Sequence, residues 1–108
     1  MNRRQRAMYE ARARIVKALA HPARLLIVDE LAKNPLCVCD IRERVGSDLS
    51  TVSKHLSVLK NAGIVADEKR GVQVFYRLRC PCAVDFFACA ETVLKTTAKD
   101  QMRLARRT

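Results

Sequence analysis

The stretch Leu36–Gly63, LCVCDIRERVGSDLSTVSKHLSVLKNAG, leaves the chain few folds to choose from. Its first half carries Val38, Ile41 and Val45, apolar at i, i+3 and i+7, the stripe of a short helix that buries one face. Asn34-Pro35 offers that helix a capping residue and then proline at the first helical position. Gly46 ends it. Asp48 then caps a second helix, whose Val52, Leu56 and Leu59 form another inward stripe. Gly63 closes this helix in the left-handed conformation that helix ends favour. Two short helices joined by a small glycine-containing turn make a helix-turn-helix. The outward side of the second helix presents Ser50, Ser53, Lys54 and Ser57, with Thr51 and His55 beside them. Short polar and basic side chains of this kind lie flat against base edges in a major groove.

The flanking segments complete the pattern. Arg3, Arg4, Arg6, Arg12 and Arg14 form a basic arm whose first residues are expected to fray. Tyr9–Leu19 reads as a helix on Ile15, Val16 and Leu19. His21-Pro22 breaks it and starts another, Ala23–Ala32, which is apolar on most sides and therefore a buried central helix. His21 reads as a cap or packing residue. After Gly63 the period changes from 3.6 to 2. Val65 begins one strand, and Val72, Val74 and Tyr76 alternate with Gln73, Phe75 and Arg77 along another. Lys69-Arg70-Gly71 is the expected turn. A hairpin directly after a helix-turn-helix is a wing, here about residues 64–79, and its basic tip, Lys69 and Arg70, suits a nucleic-acid backbone. Cys80-Pro81-Cys82 opens the last helix, about residues 81–97. Its Ala83, Phe86, Phe87, Ala90, Val93 and Leu94 form a continuous apolar face that requires the same helix of a second subunit. The basic tail that runs to residue 108 is expected to fray. The expected fold is mainly α with a small β-hairpin, a dimeric winged helix-turn-helix. Residues 1–108 form one DNA-binding and sensor domain, with the helix-turn-helix at about 36–63.

A formal net charge of +10 on 108 residues points to double-stranded DNA as the partner. No run approaches the ~18 apolar residues of a membrane span, and no secretory segment follows the arginine-rich start. The expected location is cytoplasmic, with no membrane partner. There the five cysteines, an odd number, point to metal or redox chemistry rather than a disulfide framework. Two pairs stand out, Cys37/Cys39 and Cys80/Cys82, while Cys89 at the edge of an apolar face reads as structural. Thiolates select thiophilic ions. On a regular helix residues i and i+2 point about 200° apart. Cys37 and Cys39 then converge on one ion only if the first turn distorts, which would make ligation a switch beneath the reader helix. No permanent cofactor and no catalytic set is expected. Cys-x-Cys without a βαβ setting does not fit a thiol oxidoreductase. A constitutive DNA organiser would explain the charge but not the thiols.

From about Ala13 to Leu94 the chain resembles the ArsR/SmtB family of small bacterial winged-helix repressors. The motifs that carry the resemblance are LAHPAR at Leu19–Arg24, STVSKHLSVL at Ser50–Leu59, AGIV at Ala62–Val65 and GVQVFYRL at Gly71–Leu78. It implies a homodimer that holds operator DNA without inducer and leaves it when inducer binds. LCVCDI at Leu36–Ile41 is similar to the thiol site of arsenical and soft-metal repressors. This implies Cys37 and Cys39 as ligands of trivalent arsenic or antimony, or of another thiophilic ion, with Cys80 or Cys82 of either subunit completing the set. Arg42 stands where the enterobacterial arsenical type has a third cysteine. Cys80 and Cys82 fall on the first ligand pair of the zinc-sensing members, but Val93 and Thr96 replace the second, so that zinc site is not expected. The alternative for the same thiols is sensing of oxidants or reactive sulfur through disulfide or polysulfide formation.

Overall fold

Five helices and three short strands follow in the order α1–α2–β1–α3–α4–β2–β3–α5 in the computed structural model, which describes residues 1–107. Helix α1 (Arg3–Leu19) starts on a capping box. Asn2 Oδ1 accepts from the Gln5 amide at 2.8 Å, and the Asn2 amide donates to Gln5 Oε1 at 3.1 Å. Two orphan donors are satisfied reciprocally, so the arm expected to fray is helical from Arg3. Helix α2 (Pro22–Lys33) starts at His21, whose Nδ1 accepts from the Ala23 amide at 3.0 Å. Of the two roles expected of His21, cap or packing residue, the structure shows the cap, and its ring also packs against His55.

The next segment departs from expectation. Asn34 ends α2 in an extended conformation instead of starting a helix. Leu36–Cys37 form β1, which pairs antiparallel with β3 (Gln73–Leu78), Leu36 opposite Tyr76 and Cys37 opposite Phe75. Helix α3 (Val38–Val45) begins only after Cys37. The reason is tertiary. Leu36 and Cys37 are both buried, and their backbone groups find partners on a strand about forty residues away. Asn34-Pro35 is a valid local signal overridden by that pairing.

The rest of the helix-turn-helix follows the sequence signals. Gly46 ends α3 at φ 77°, and its amide donates to the Arg42 carbonyl at 2.9 Å. A residue with a Cβ would be strained there. Helix α4 (Leu49–Asn61) starts at Asp48, whose Oδ1 accepts from the Thr51 amide at 2.7 Å. Hydrogen bonding from Thr51, side chain first and backbone second, holds the Asp48 carboxyl below its ordinary value.

Strand β2 (Val65–Arg70) pairs with β3 from Val65 opposite Leu78 to Arg70 opposite Gln73, giving an antiparallel sheet in the order β1-β3-β2. The turn is therefore Gly71-Val72, not Lys69-Arg70-Gly71. Gly71 has φ 63° and, among the described residues, no non-glycine has positive φ, the pattern of a type II′ hairpin. Val72, expected on the inner face of a strand, is a turn residue and 98% exposed.

Helix α5 (Ala83–Arg107) follows a tight turn in which the Cys80, Pro81 and Cys82 carbonyls accept from the Ala83, Val84 and Asp85 amides. Pro81 lies in that turn, ahead of the helix. The helix passes the expected end near residue 97 by about ten residues; only position 108 of the tail lies outside the described residues. Good helix formers, Lys99, Gln101, Met102, Leu104 and Ala105, carry it on, as does Lys95 paired with Glu91 one turn back at 3.5 Å. At ~1.5 Å per residue it is about 37 Å long.

The core lies under the helix-turn-helix. Ile27 and Val28 from α2, Ile41 from α3, Val52, Leu56 and Leu59 from α4, and Val65 from β2 are its most deeply buried side chains. Each contributes about 1.5–3 kcal/mol by leaving water. Among the described residues of α5, the hydrophobic side chains packed against this core are Ala83 and Phe87.

Candidate nucleic-acid interface and thiol sites

The buried stripe of α4 fixes what its other side presents. With Val52, Leu56 and Leu59 inward, Ser50, Thr51, Ser53, Lys54 and Ser57 are all exposed. His55 is different. It is half-buried, its ring centroid 4.4 Å from that of His21, and Arg24 Nη1 lies 3.3 Å from its Nδ1. A guanidinium has no acceptor, so Arg24 donates and His55 is neutral with its proton on Nε2. Burial first, then the charges of His21 and Arg24, hold the imidazole below its ordinary pKa of about 6.5. His55 thus ties α4 to the start of α2. Sequence reading missed Arg24, although it stands three residues after His21 in the LAHPAR motif.

The wing separates its two cations. Adjacent strand residues point to opposite faces. Arg70 stacks over the Phe75 ring at 4.8 Å and pairs with Glu68 at 3.4 Å, while Lys69 is exposed on the other face. Lys60 at the end of α4 pairs with Asp67 of β2 at 3.0 Å. Burial and the Asp67 charge raise the pKa of Tyr76 beside it, partly offset by Lys60. On the other flank Glu30 of α2 meets Arg44 of α3 at 3.1 Å. Exposed pairs of this kind contribute about 0–1 kcal/mol each, so they set register more than stability.

The four candidate thiol ligands do not form one cluster. Cys37 is 6% exposed and lies on β1, outside the helix, at the N-cap position with no side-chain cap bond. Cys39 is exposed in the first turn of α3. The expected conflict between two faces of one helix is therefore a conflict between a buried strand residue and an exposed helical one. Cys80 is half-buried, its Sγ 3.9 Å from the Gly63 carbonyl, and Cys82 is exposed before α5. Cys37 sits opposite Phe75, and Cys80 lies five residues farther along that chain. At ~3.3 Å per strand residue, Cys37 and Cys80 of one chain are on the order of 15 Å apart. Among the described residues no three Cys, His, Asp or Glu side chains are grouped to hold a metal ion. Cys89, read as structural, is exposed on α5.

Comparison with known proteins agrees with this geometry. The family model described as "Bacterial regulatory protein, arsR family" matches residues 21–67. Rv0081, an uncharacterized HTH-type transcriptional regulator of Mycobacterium tuberculosis, is 32% identical over 96 residues, 88% of this chain and 84% of its own. Its crystal structure matches with a TM-score of 0.77 over 88% of this chain and 96% of that one. The biofilm growth-associated repressor of Xylella fastidiosa is 32% identical over 87 residues, 81% of this chain and 76% of its own. A solution structure from Mycobacterium bovis, a homodimeric winged helix-turn-helix DNA-binding domain of a possible ArsR-family regulator, is 31% identical, with a TM-score of 0.77 over 93% of each chain. Among the described residues no helix is long and apolar enough to cross a membrane. Likeness along most of the chain and a shared winged fold place this protein in the ArsR family: it is a winged helix-turn-helix transcriptional repressor, not an enzyme.

Proposed function

We propose that this repressor binds an operator as a homodimer and releases it when cysteine thiolates take up a thiophilic inducer, trivalent arsenic or antimony first among them. Ser50, Thr51, Ser53, Lys54 and Ser57 read the major groove, with His55 holding the helix that carries them. Lys69 and Arg70 of the wing meet the backbone. Cys37 and Cys39 are the inducer's first two ligands. The observation that carries this reading is their position at the junction of β1 and α3, next to the core that α3 shares with α4. Drawing buried Cys37 toward exposed Cys39 pulls it out of the ladder opposite Phe75 and opens the first turn of α3. A third thiolate then comes from Cys80 or Cys82 of the partner subunit, because Cys80 of the same chain lies beyond the far end of β3, on the order of 15 Å from Cys37. A coupling of about 1–3 kcal/mol between inducer and operator is ordinary for such a switch, and it acts equally in both directions.

The test is an anaerobic arsenite titration of operator-bound protein followed by fluorescence anisotropy. Cys39→Ser should bind operator like the wild type and ignore arsenite. A full arsenite response in that variant would falsify the two-thiol mechanism. One observation favours a second reading: Cys39, Cys82 and Cys89 are exposed and free. An oxidant or polysulfide could then take two electrons from two thiols as a sulfur–sulfur bond forms. Operator release by such reagents alone, with the bridge visible by mass, would replace the metalloid with redox sensing.

A further inference from the structure

Between α1 and the end of α4 lies an open groove of about 710 Å³. Ile15, Ala18 and Val58 give it an apolar floor. Its charged lining has one sign, Arg14, Lys17 and Arg24, with no carboxylate. Among the described residues none of these three cations forms an ion pair. Arg24 is the most constrained of them. It is half-buried, its Nη1 donates to His55, and its Nε is closed off from solvent without an acceptor. A partly desolvated guanidinium with an unmet donor costs free energy until a counter-charge arrives. Among the described residues the chain supplies none. The volume is that of a small-molecule site, which typically falls in the range of about 300–1,000 Å³. Three cations above an apolar floor match a compact acid carried on an apolar body. A nucleic-acid backbone would use the charges and leave the floor unfilled.

We propose that the α1–α4 groove is a second effector site, for a small organic anion whose acid group pairs with Arg24 and whose apolar body rests on Ile15, Ala18 and Val58. The site is coupled to the operator through one contact. Arg24 holds His55 of the reader helix, so an anion that draws the guanidinium into the groove loosens α4 from α2 and weakens operator binding. This effect needs no thiol. It rests on α4 being the reader only for the operator readout; the binding readout stands without it.

The experiment compares two dyes with nearly the same apolar body, 1-anilinonaphthalene-8-sulfonate and the uncharged N-phenyl-1-naphthylamine, on the full-length protein. The sulfonate should occupy a single site per chain and shift the methyl resonances of Ile15, Ala18 and Val58. The neutral dye should bind about tenfold more weakly or worse, since it lacks the charge-assisted hydrogen bond. Arg24→Gln should weaken the sulfonate by a similar factor. If Arg24→Gln fails to fold, Val58→Glu, at a partly exposed position, puts a like charge on the floor and should have the same effect. Sulfonate at saturation should release operator from wild-type and Cys39→Ser protein alike. Equal affinity for the two dyes, sulfonate binding indifferent to Val58→Glu, or methyl shifts confined to α5 would overturn the proposal. Tight, variant-sensitive dye binding with no operator release would keep the site and overturn its coupling to α4.

Discussion

His55 shows how far a single residue's role depends on what the fold places beside it. In the sequence it stands among serines and a lysine on the outward side of a reader helix. In the structure its Nδ1 accepts from Arg24 and its ring leans on His21, contacts that span more than thirty positions. The arrangement has a pH signature. Folding holds the His55 pKa below its unfolded value, so between the two values the unfolded chain binds more protons and stability rises with pH. The contribution is complete above about pH 6.5 and is lost as pH falls through the window below it. The groups facing His55 are Arg24 on α2 and His21 at its cap, and both oppose a charge on the His55 ring. His55→Gln keeps an acceptor for Arg24 and cannot titrate. Denaturant melts at pH 7.5 and 5.5 should show wild type losing stability relative to the variant on acidification. An unchanged difference between them at the two pH values would sink this account. The caps at His21 and Asp48 were legible because each acts within three residues. The burial of Cys37 was not, because its neighbour is Phe75.

At the scale of elements, legibility follows the range of the forces involved. The apolar stripes of α3 and α4, the glycine that ends α3 and the change of period into the wing are local, and all appear where the sequence puts them. Strand β1 is only two residues long and exists because β3 lies alongside, so no periodicity reports it. The wing turn was misplaced by two residues because Lys69-Arg70-Gly71 looks polar, yet only glycine in that run adopts positive φ freely. The corrected register gives the two wing cations different surroundings. Arg70 is engaged by Glu68 and Phe75, and Lys69, on the other face, is exposed and pairs with no carboxylate among the described residues. Lys69→Ala should weaken binding to all DNA sequences alike and lower the salt slope by about one. Ser53→Ala should instead alter which operator is preferred, with the salt slope unchanged. Binding to a panel of operator variants at several salt concentrations separates them. A wing variant that changed preference, beside a reader variant that did not, would reverse the assignment.

At the scale of the whole molecule, the chain leaves its longest helix largely uncovered. Helix α5 projects from a body that contacts it mainly at Ala83 and Phe87, and the molecule extends 62 Å along its longest axis. Val93 is 63% exposed and Leu94 70%, with Phe86, Met102 and Leu104 also open to solvent. On α1, Tyr9 and Val16, which do not line the α1–α4 groove, are similarly open. Exposed apolar side chains on both helices fit an isologous interface, in which each subunit covers the other's α5. Such a dimer also sets the spacing of two readers, which a single chain cannot do. Half-sites should then lie roughly 34–36 Å apart, one helical turn, or a multiple of that. Phe87 is a poor place to break the interface, since it already packs on its own core and its loss would disturb the monomer. Val93→Glu and Leu94→Glu touch little within the chain. Together they place two like charges from each subunit in the joint, where each unpaired carboxylate costs several kcal/mol. Sedimentation equilibrium should find wild-type dimers and Val93→Glu/Leu94→Glu monomers with an unchanged far-UV spectrum. The monomers should bind a single half-site as weakly as one wild-type reader does and lose the two-site affinity. A dimer that survives both substitutions would move the interface off this face of α5, and the half-site spacing would have to be derived again from whichever surface holds the subunits together.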